Sequence, residues 1–182
     1  MNFPNFLTCL RGVLAVIFAF LLFSPEPSGK KWALAVFVFA ALTDYWDGVL
    51  ARRMKEVSSF GKLMDPITDK MLTLSAFFSF WYLSVLPLWM VLVVAAREVA
   101  VTVVRLRMPA GSPDVAAQMS GKQKTVLQML FIVAVLVYLA ARQTPDWPPS
   151  WNGSAILMAR GGMLLIVLVT LWSGAQVLLK KR

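Results

Sequence analysis

Four aspartates crowd one stretch of an otherwise apolar chain. Asp44, Asp47, Asp65 and Asp69 fall within DYWDGVLARRMKEVSSFGKLMDPITDK, residues 44–70. A carboxylate at membrane depth is costly unless it is paired, hydrated or bound to a cation, so the cluster calls for a chemical reason. On a helix, positions i, i+3, i+4 and i+7 share a face. Asp44, Asp47, Gly48 and Ala51 therefore form one stripe, with Arg52 following one position later. Gly61, Asp65 and Asp69, spaced by four, form a second stripe. If the two helices are antiparallel neighbours, four carboxylates converge. Such a group would repel and protonate, whereas two divalent cations neutralise it in formal charge. Oxygen-only ligands point to Mg²⁺ or Mn²⁺ and away from zinc. Two such ions about 4 Å apart suit phosphoryl transfer, where they hold the attacking and leaving oxygens. Gly48 and Ala51 leave room for a bulky group beside the backbone, and Arg52 can meet an anionic part of the same ligand. Two other readings of these acids are a structural ion network with neighbouring Arg and Lys, and a cation-transport path.

The elements that must position these residues are membrane helices. Of 182 residues 59% are apolar, and the mean hydropathy of +0.70 exceeds that of a soluble domain of this size. Hydrophobic stretches at about residues 9–23, 32–51, 63–85, 86–106, 125–141 and 155–179 predict six spans. Turn signals separate them at 25–31, around Pro87, at 108–114 and at 144–153. The expectation is an all-α, polytopic membrane protein, a six-helix bundle forming one domain over residues 1–182. Arg11 before an apolar run could mark a cleaved signal peptide, but no A-x-A-like site follows, and a retained helix is the better reading. Before that span, Phe3, Phe6, Leu7 and Leu10 recur at helical spacing and predict a short interfacial amphipathic helix. Pro66 disfavours an unbroken helix, which places Asp65 near the N-cap of span three and Pro66 at its first helical position. A span that began earlier would instead have to kink there.

Charge gives orientation and excludes several functions. Eighteen Lys and Arg against nine acids leave a net charge of +9, which favours anionic lipid headgroups over nucleic acid for a membrane chain. Arg11, Arg52, Arg53, Lys55, Lys62, Arg105, Arg107, Lys122, Lys124, Lys180, Lys181 and Arg182 fall on one side of the predicted spans. Only Lys30, Lys31, Arg142 and Arg160 fall on the other. The positive-inside rule then puts both termini and the aspartates on the cytoplasmic side. Trp89, Trp147 and Trp151 suit interfacial positions. There is no histidine, so Ser-His triads, His nucleophiles and His-rich zinc sites are excluded. The single cysteine, Cys9, allows no intrachain disulfide and reads as a small packing residue.

The spacing D-x2-D-G-x2-A-R-x8-G-x3-D-x3-D, carried by Asp44, Asp47, Gly48, Ala51, Arg52, Gly61, Asp65 and Asp69, resembles the signature of the CDP-alcohol phosphatidyltransferases. The resemblance implies six transmembrane helices, usually in a homodimer, with a cavity facing the cytoplasm of a bacterial inner membrane. It implies that Asp44, Asp47 and Asp65 bind two divalent cations and that Asp69, also a ligand, is the general base. Gly48, Ala51, Arg52 and Gly61 would line the CDP site. NFPNFLTCLR, AREVAVTVVR at 96–105 and GKQKTVLQ at 121–128 are similar to segments of the phosphatidylglycerophosphate synthase branch. That likeness adds Asn5 and Thr8 to the CDP site. It also implies CDP-diacylglycerol as donor, sn-glycerol 3-phosphate as acceptor and CMP as the leaving product.

Charged residues outside the signature bear on the acceptor. Arg97, Glu98, Arg105, Lys122 and Lys124 lie in or at the ends of predicted spans, and Glu98 and Arg105 share a face. Arg97, Arg105, Lys122 and Lys124 could form an anion pocket for a phosphate-bearing alcohol. Alternatively Arg97 or Arg105 pairs with Glu98, or the cations snorkel to the interface. The rival functions are the same reaction with inositol phosphate, serine or a phosphatidyl lipid as acceptor, a cation transporter, and a lipid-binding scaffold without catalysis. Transport would favour polar residues continuing to the far side, yet VFVFA and TLSAFFSFW flank the acids.

Overall fold

A computed structural model describes the backbone of residues 3–54, 59–106 and 119–179, and side chains within 10–43, at 68, and within 70–103 and 124–174. The described residues form six helices and no strand: α1 Phe3–Phe23, α2 Gly29–Met54, α3 Ser59–Tyr82, α4 Leu88–Leu106, α5 Met119–Ala141 and α6 Trp151–Leu179. The shortest has 19 residues and the longest 29, about 28 and 44 Å at 1.5 Å per residue. By length and composition α5 and α6 are apolar enough to cross a membrane, with a shorter apolar run, Leu10–Phe23, in α1.

Two sequence expectations need correction. The N-terminal stretch is not a separate interfacial helix, because α1 runs unbroken from Phe3. Pro4, at its second residue, lacks only an N–H that the first turn leaves unused. Likewise α3 begins at Ser59, so Asp65 is not its N-cap and Pro66 lies inside the helix. The alternative of an early start holds. There Pro66 has no N–H for the carbonyl four residues back, and packing of the later turns outweighs that loss.

The principal contacts close the helices into a ring. α1 packs on α2, α2 on α5, α5 on α6, α6 on α4, α4 on α3, and α3 again on α1, with a further contact between α3 and α5. Aromatic and branched side chains fill the interior. Phe18 and Phe37 meet at 5.6 Å between α1 and α2, and Phe77 and Phe131 at 6.3 Å between α3 and α5. Leu22, Phe80, Ile132, Leu136, Met163 and Ile166 are buried around them. The outer faces are equally apolar. Phe20, Leu130, Leu157, Met158 and Trp172 are all more than 60% exposed, an arrangement suited to lipid and not to water.

Short reversals fix the direction of each helix. At the end of α1, Lys30 Nζ donates to the Ser24 carbonyl at 2.8 Å, and the Gly29 N–H to the Glu26 carbonyl at 2.9 Å. At the end of α3, the Val85 N–H reaches the Phe80 carbonyl and the Ser84 N–H the Trp81 carbonyl, with Ser84 at φ 59°. This is a Schellman cap, followed by Pro87 as the chain leaves for α4. Phe23 and Tyr82 meet edge to face at 5.1 Å, and Arg160 Nε donates to the Val85 carbonyl at 3.4 Å. The ends of α1 and α3 and the starts of α2, α4 and α6 therefore lie together. Trp147 stacks edge to face with Tyr138 and Trp151 at this same end, where Trp147 Nε1 donates to Asn152 Oδ1.

Candidate active site

The opposite end of the bundle gathers the signature. Asp44, Asp47, Gly48, Ala51 and Arg52 occupy the closing turns of α2, and Gly61, Asp65 and Asp69 the opening turns of α3. Asn5 and Thr8 stand at the start of α1, Arg105 at the end of α4 and Lys122 near the start of α5. The side chains of these twelve residues lie outside the described ones. What the backbone gives is register: both aspartate pairs are on helices, at the same end, and both helices pack against α1. Spacings of three and four keep each pair on one face. The donor set is oxygen only, which fits hard divalent cations. Among the described side chains no group of three His, Cys, Asp or Glu could hold a metal.

Beside the signature lies a buried polar cluster built from four helices. Its centre is Glu98 of α4, 3% exposed. Lys124 of α5 donates to Glu98 Oε1, Lys70 of α3 approaches Oε2 at 2.7 Å, and Arg97 Nη1 lies 3.7 Å from Oε1. Arg97 Nη2 in turn donates to Ser173 Oγ of α6 at 2.9 Å. Gly174 leaves room for that seat, since a Cβ there would lie 3.3 Å from both Cγ and Nε of Arg97 and would require a shift of a few tenths of an ångström. A buried carboxylate without partners would be untenable at this depth. Among the described residues, three cations around one carboxylate give the cluster a formal charge of +2. One turn deeper, Gln128 Nε2 and Thr170 Oγ1 are buried without a hydrogen-bond partner among the described residues.

Of the four cations expected to form an anion pocket, Arg97 and Lys124 are therefore brought together, and both meet Glu98. The pairing alternative holds for Arg97, and Lys124, which it did not include, meets the same carboxylate; among the described residues a surplus of positive charge survives. Sequence reasoning missed Lys70 and Ser173. Lys70 belongs to no anion motif, but a lysine inside an apolar span requires a partner, and that requirement was the available signal. Ser173 carried none.

The family model for CDP-alcohol phosphatidyltransferase matches residues 1–175. A CDP-diacylglycerol–glycerol-3-phosphate 3-phosphatidyltransferase of Bacillus subtilis (strain 168) is 34% identical over 149 residues, covering 75% of this chain and 77% of that protein. One from Pseudomonas fluorescens is 33% identical over 192 residues, 98% of this chain and 89% of the relative. A cardiolipin synthase (CMP-forming) of Streptomyces coelicolor is 39% identical over 101 residues, 54% of this chain and 47% of that protein.

Proposed function

The chain belongs to the CDP-alcohol phosphatidyltransferase family, and on that premise we propose that it transfers the phosphatidyl group of CDP-diacylglycerol to sn-glycerol 3-phosphate, releasing CMP. The observation that carries the reading is the juxtaposition at one end of the bundle of two aspartate-bearing helix ends and a cluster of formal charge +2. Relatives with this acceptor in their names match nearly the whole chain.

Asp44, Asp47, Asp65 and Asp69 would hold two divalent cations, Mg²⁺ or Mn²⁺, which supply Lewis-acid stabilisation of the pyrophosphate charge when bound. Gly48, Ala51 and Gly61 admit the cytidine nucleotide against the backbone, with Asn5, Thr8 and Arg52 as its polar contacts. Asp69 accepts the proton of the acceptor's primary hydroxyl, and that oxygen attacks the phosphorus bearing diacylglycerol. Arg97, Arg105, Lys122 and Lys124 supply the positive field that draws the acceptor's phosphate beside the acids. The two substrates meet in one cavity, so orientation replaces a covalent enzyme intermediate.

All six helices cross the membrane in this reading. Their lengths and outward apolar faces support it, and the Lys and Arg distribution favours an aspartate end that faces the cytoplasm from a bacterial inner membrane. A homodimer is the assembly proposed, surrounded by membrane lipids.

A second acceptor is favoured by one specific likeness, that to the cardiolipin synthase over about half of each chain. In that second reading the acceptor is a phosphatidyl lipid. Purified protein given labelled CDP-diacylglycerol and a panel of acceptors decides between the two. The expected result is a labelled glycerophosphate product and stoichiometric CMP. A product formed with phosphatidylglycerol but not with glycerol 3-phosphate would transfer the assignment to the second reading.

A further inference from the structure

We propose that Lys70 is a further contact for the acceptor's phosphate and that Glu98 is the positioning residue that holds it there. The proposal rests on the reading that the acceptor is a phosphate monoester.

Lys70 is the residue after Asp69 on α3, so its ammonium group starts from the same helical turn as the proposed base. Its partner comes from another helix: Glu98 Oε2 of α4, at 2.7 Å. The three cations around Glu98 differ in access. The Lys124 side chain is 3% exposed and that of Arg97 13%, and Arg97 is also tied to Ser173. The Lys70 side chain is 33% exposed, and it is the open member of the group. An anion arriving at the cluster meets Lys70 first.

Charge matches the ligand. The formal +2 of the cluster is offset by the −1.5 to −2 that a phosphate monoester carries near pH 7. Without Glu98 three cations would repel one another, and the flexible stem of Lys70 would carry its ammonium group away from Lys124 and Arg97. Glu98 thus trades one unit of positive charge for a fixed arrangement. Because it is buried, it acts on the ligand only through the cations it holds.

The test measures KM for glycerol 3-phosphate and for CDP-diacylglycerol in the full chain, with Lys70→Gln, Glu98→Gln and the double variant. KM does not depend on the fraction of protein that folds. Lys70→Gln is expected to raise KM for glycerol 3-phosphate about tenfold, the scale of one lost hydrogen bond to a charged group. KM for CDP-diacylglycerol should move less than about threefold, and Lys70→Arg should recover most of the loss. Glu98→Gln should raise the acceptor KM when Lys70 is present and add less than about twofold when it is already Gln, the pattern of a residue acting through another. Glu98→Asp, which keeps the charge and shortens the reach, gives the same direction if Glu98→Gln does not fold. An unchanged acceptor KM in Lys70→Gln overturns the contact, and equal costs of Glu98→Gln in both backgrounds overturn the positioning role. If the unmutated protein does not use glycerol 3-phosphate at all, the acceptor reading fails first and takes this proposal with it.

Discussion

At the residue scale the proposed chemistry depends on carboxylates, which in an apolar stretch must be protonated, paired or bound to metal. Asp69 carries the most specific assignment. A positioned general base contributes about 10² to 10⁴ in rate, and asparagine keeps its shape and one oxygen but cannot take the proton. Asp69→Asn is therefore expected to lose turnover by at least about 10² while the KM for CDP-diacylglycerol changes little. Near-normal turnover at saturating metal would require another base. Asp44, Asp47 and Asp65 are the proposed metal ligands, so excess chelator should abolish activity and added Mg²⁺ or Mn²⁺ restore it. Full activity in chelator would remove the two-cation account. Both aspartate pairs were legible from spacing alone, because helical periodicity converts three and four residues into one face. The partnership of Glu98 with Lys70 was not, since those residues are 28 positions apart and on different helices.

At the element scale, the turns at the far end hold the helices in register. Gly29 begins α2 so close to α1 that an added Cβ would lie 2.7 Å from the Leu21 carbonyl oxygen and 2.9 Å from Ser24 Cβ. Gly29→Ala must push backbone apart, and a loss of about 1 to 3 kcal/mol is expected. It would be seen as a lower Tm in detergent. Ser84 presents the opposite case. Its φ of 59° is a left-handed conformation that disfavours a side chain. Ser84→Gly relieves that strain at the Schellman cap and loses some of the gain to the greater freedom of the unfolded chain. A net gain of a few tenths to about 1 kcal/mol is expected, and a lower Tm would contradict it. The breakers around 25–31 and Pro87 announced both turns in the sequence. The start of α3 was misread, because a proline marks a probable boundary only where no tertiary contact compensates its missing hydrogen bond.

At the scale of the whole molecule, the two ends of the bundle differ in charge. The turns at residues 24–28 and 142–150 occupy one end, near Lys30, Arg142 and Arg160. The aspartate-bearing ends of α2 and α3 occupy the other, with Arg52, Arg97, Arg105, Lys122 and Lys124 among the described backbone. Sidedness can be measured by impermeant thiol labelling of intact cells in a Cys9→Ser background. Ser28→Cys should be labelled from outside and Lys180→Cys only after lysis, and the reverse pattern would invert the proposed orientation. By itself the sequence determined the helical class, the approximate limits of the described helices and the residues of the signature. Each of these follows from local periodicity, from turn residues and from the cost of placing charge in an apolar run. Only the tertiary structure decided the closure of the ring, the continuity of α3 through Pro66, and the meeting of Lys70, Arg97, Glu98, Lys124 and Ser173. Those depend on which helix faces come together. Shape complementarity and the demand of a buried carboxylate for partners set that choice, and neither is written in the spacing of any one segment.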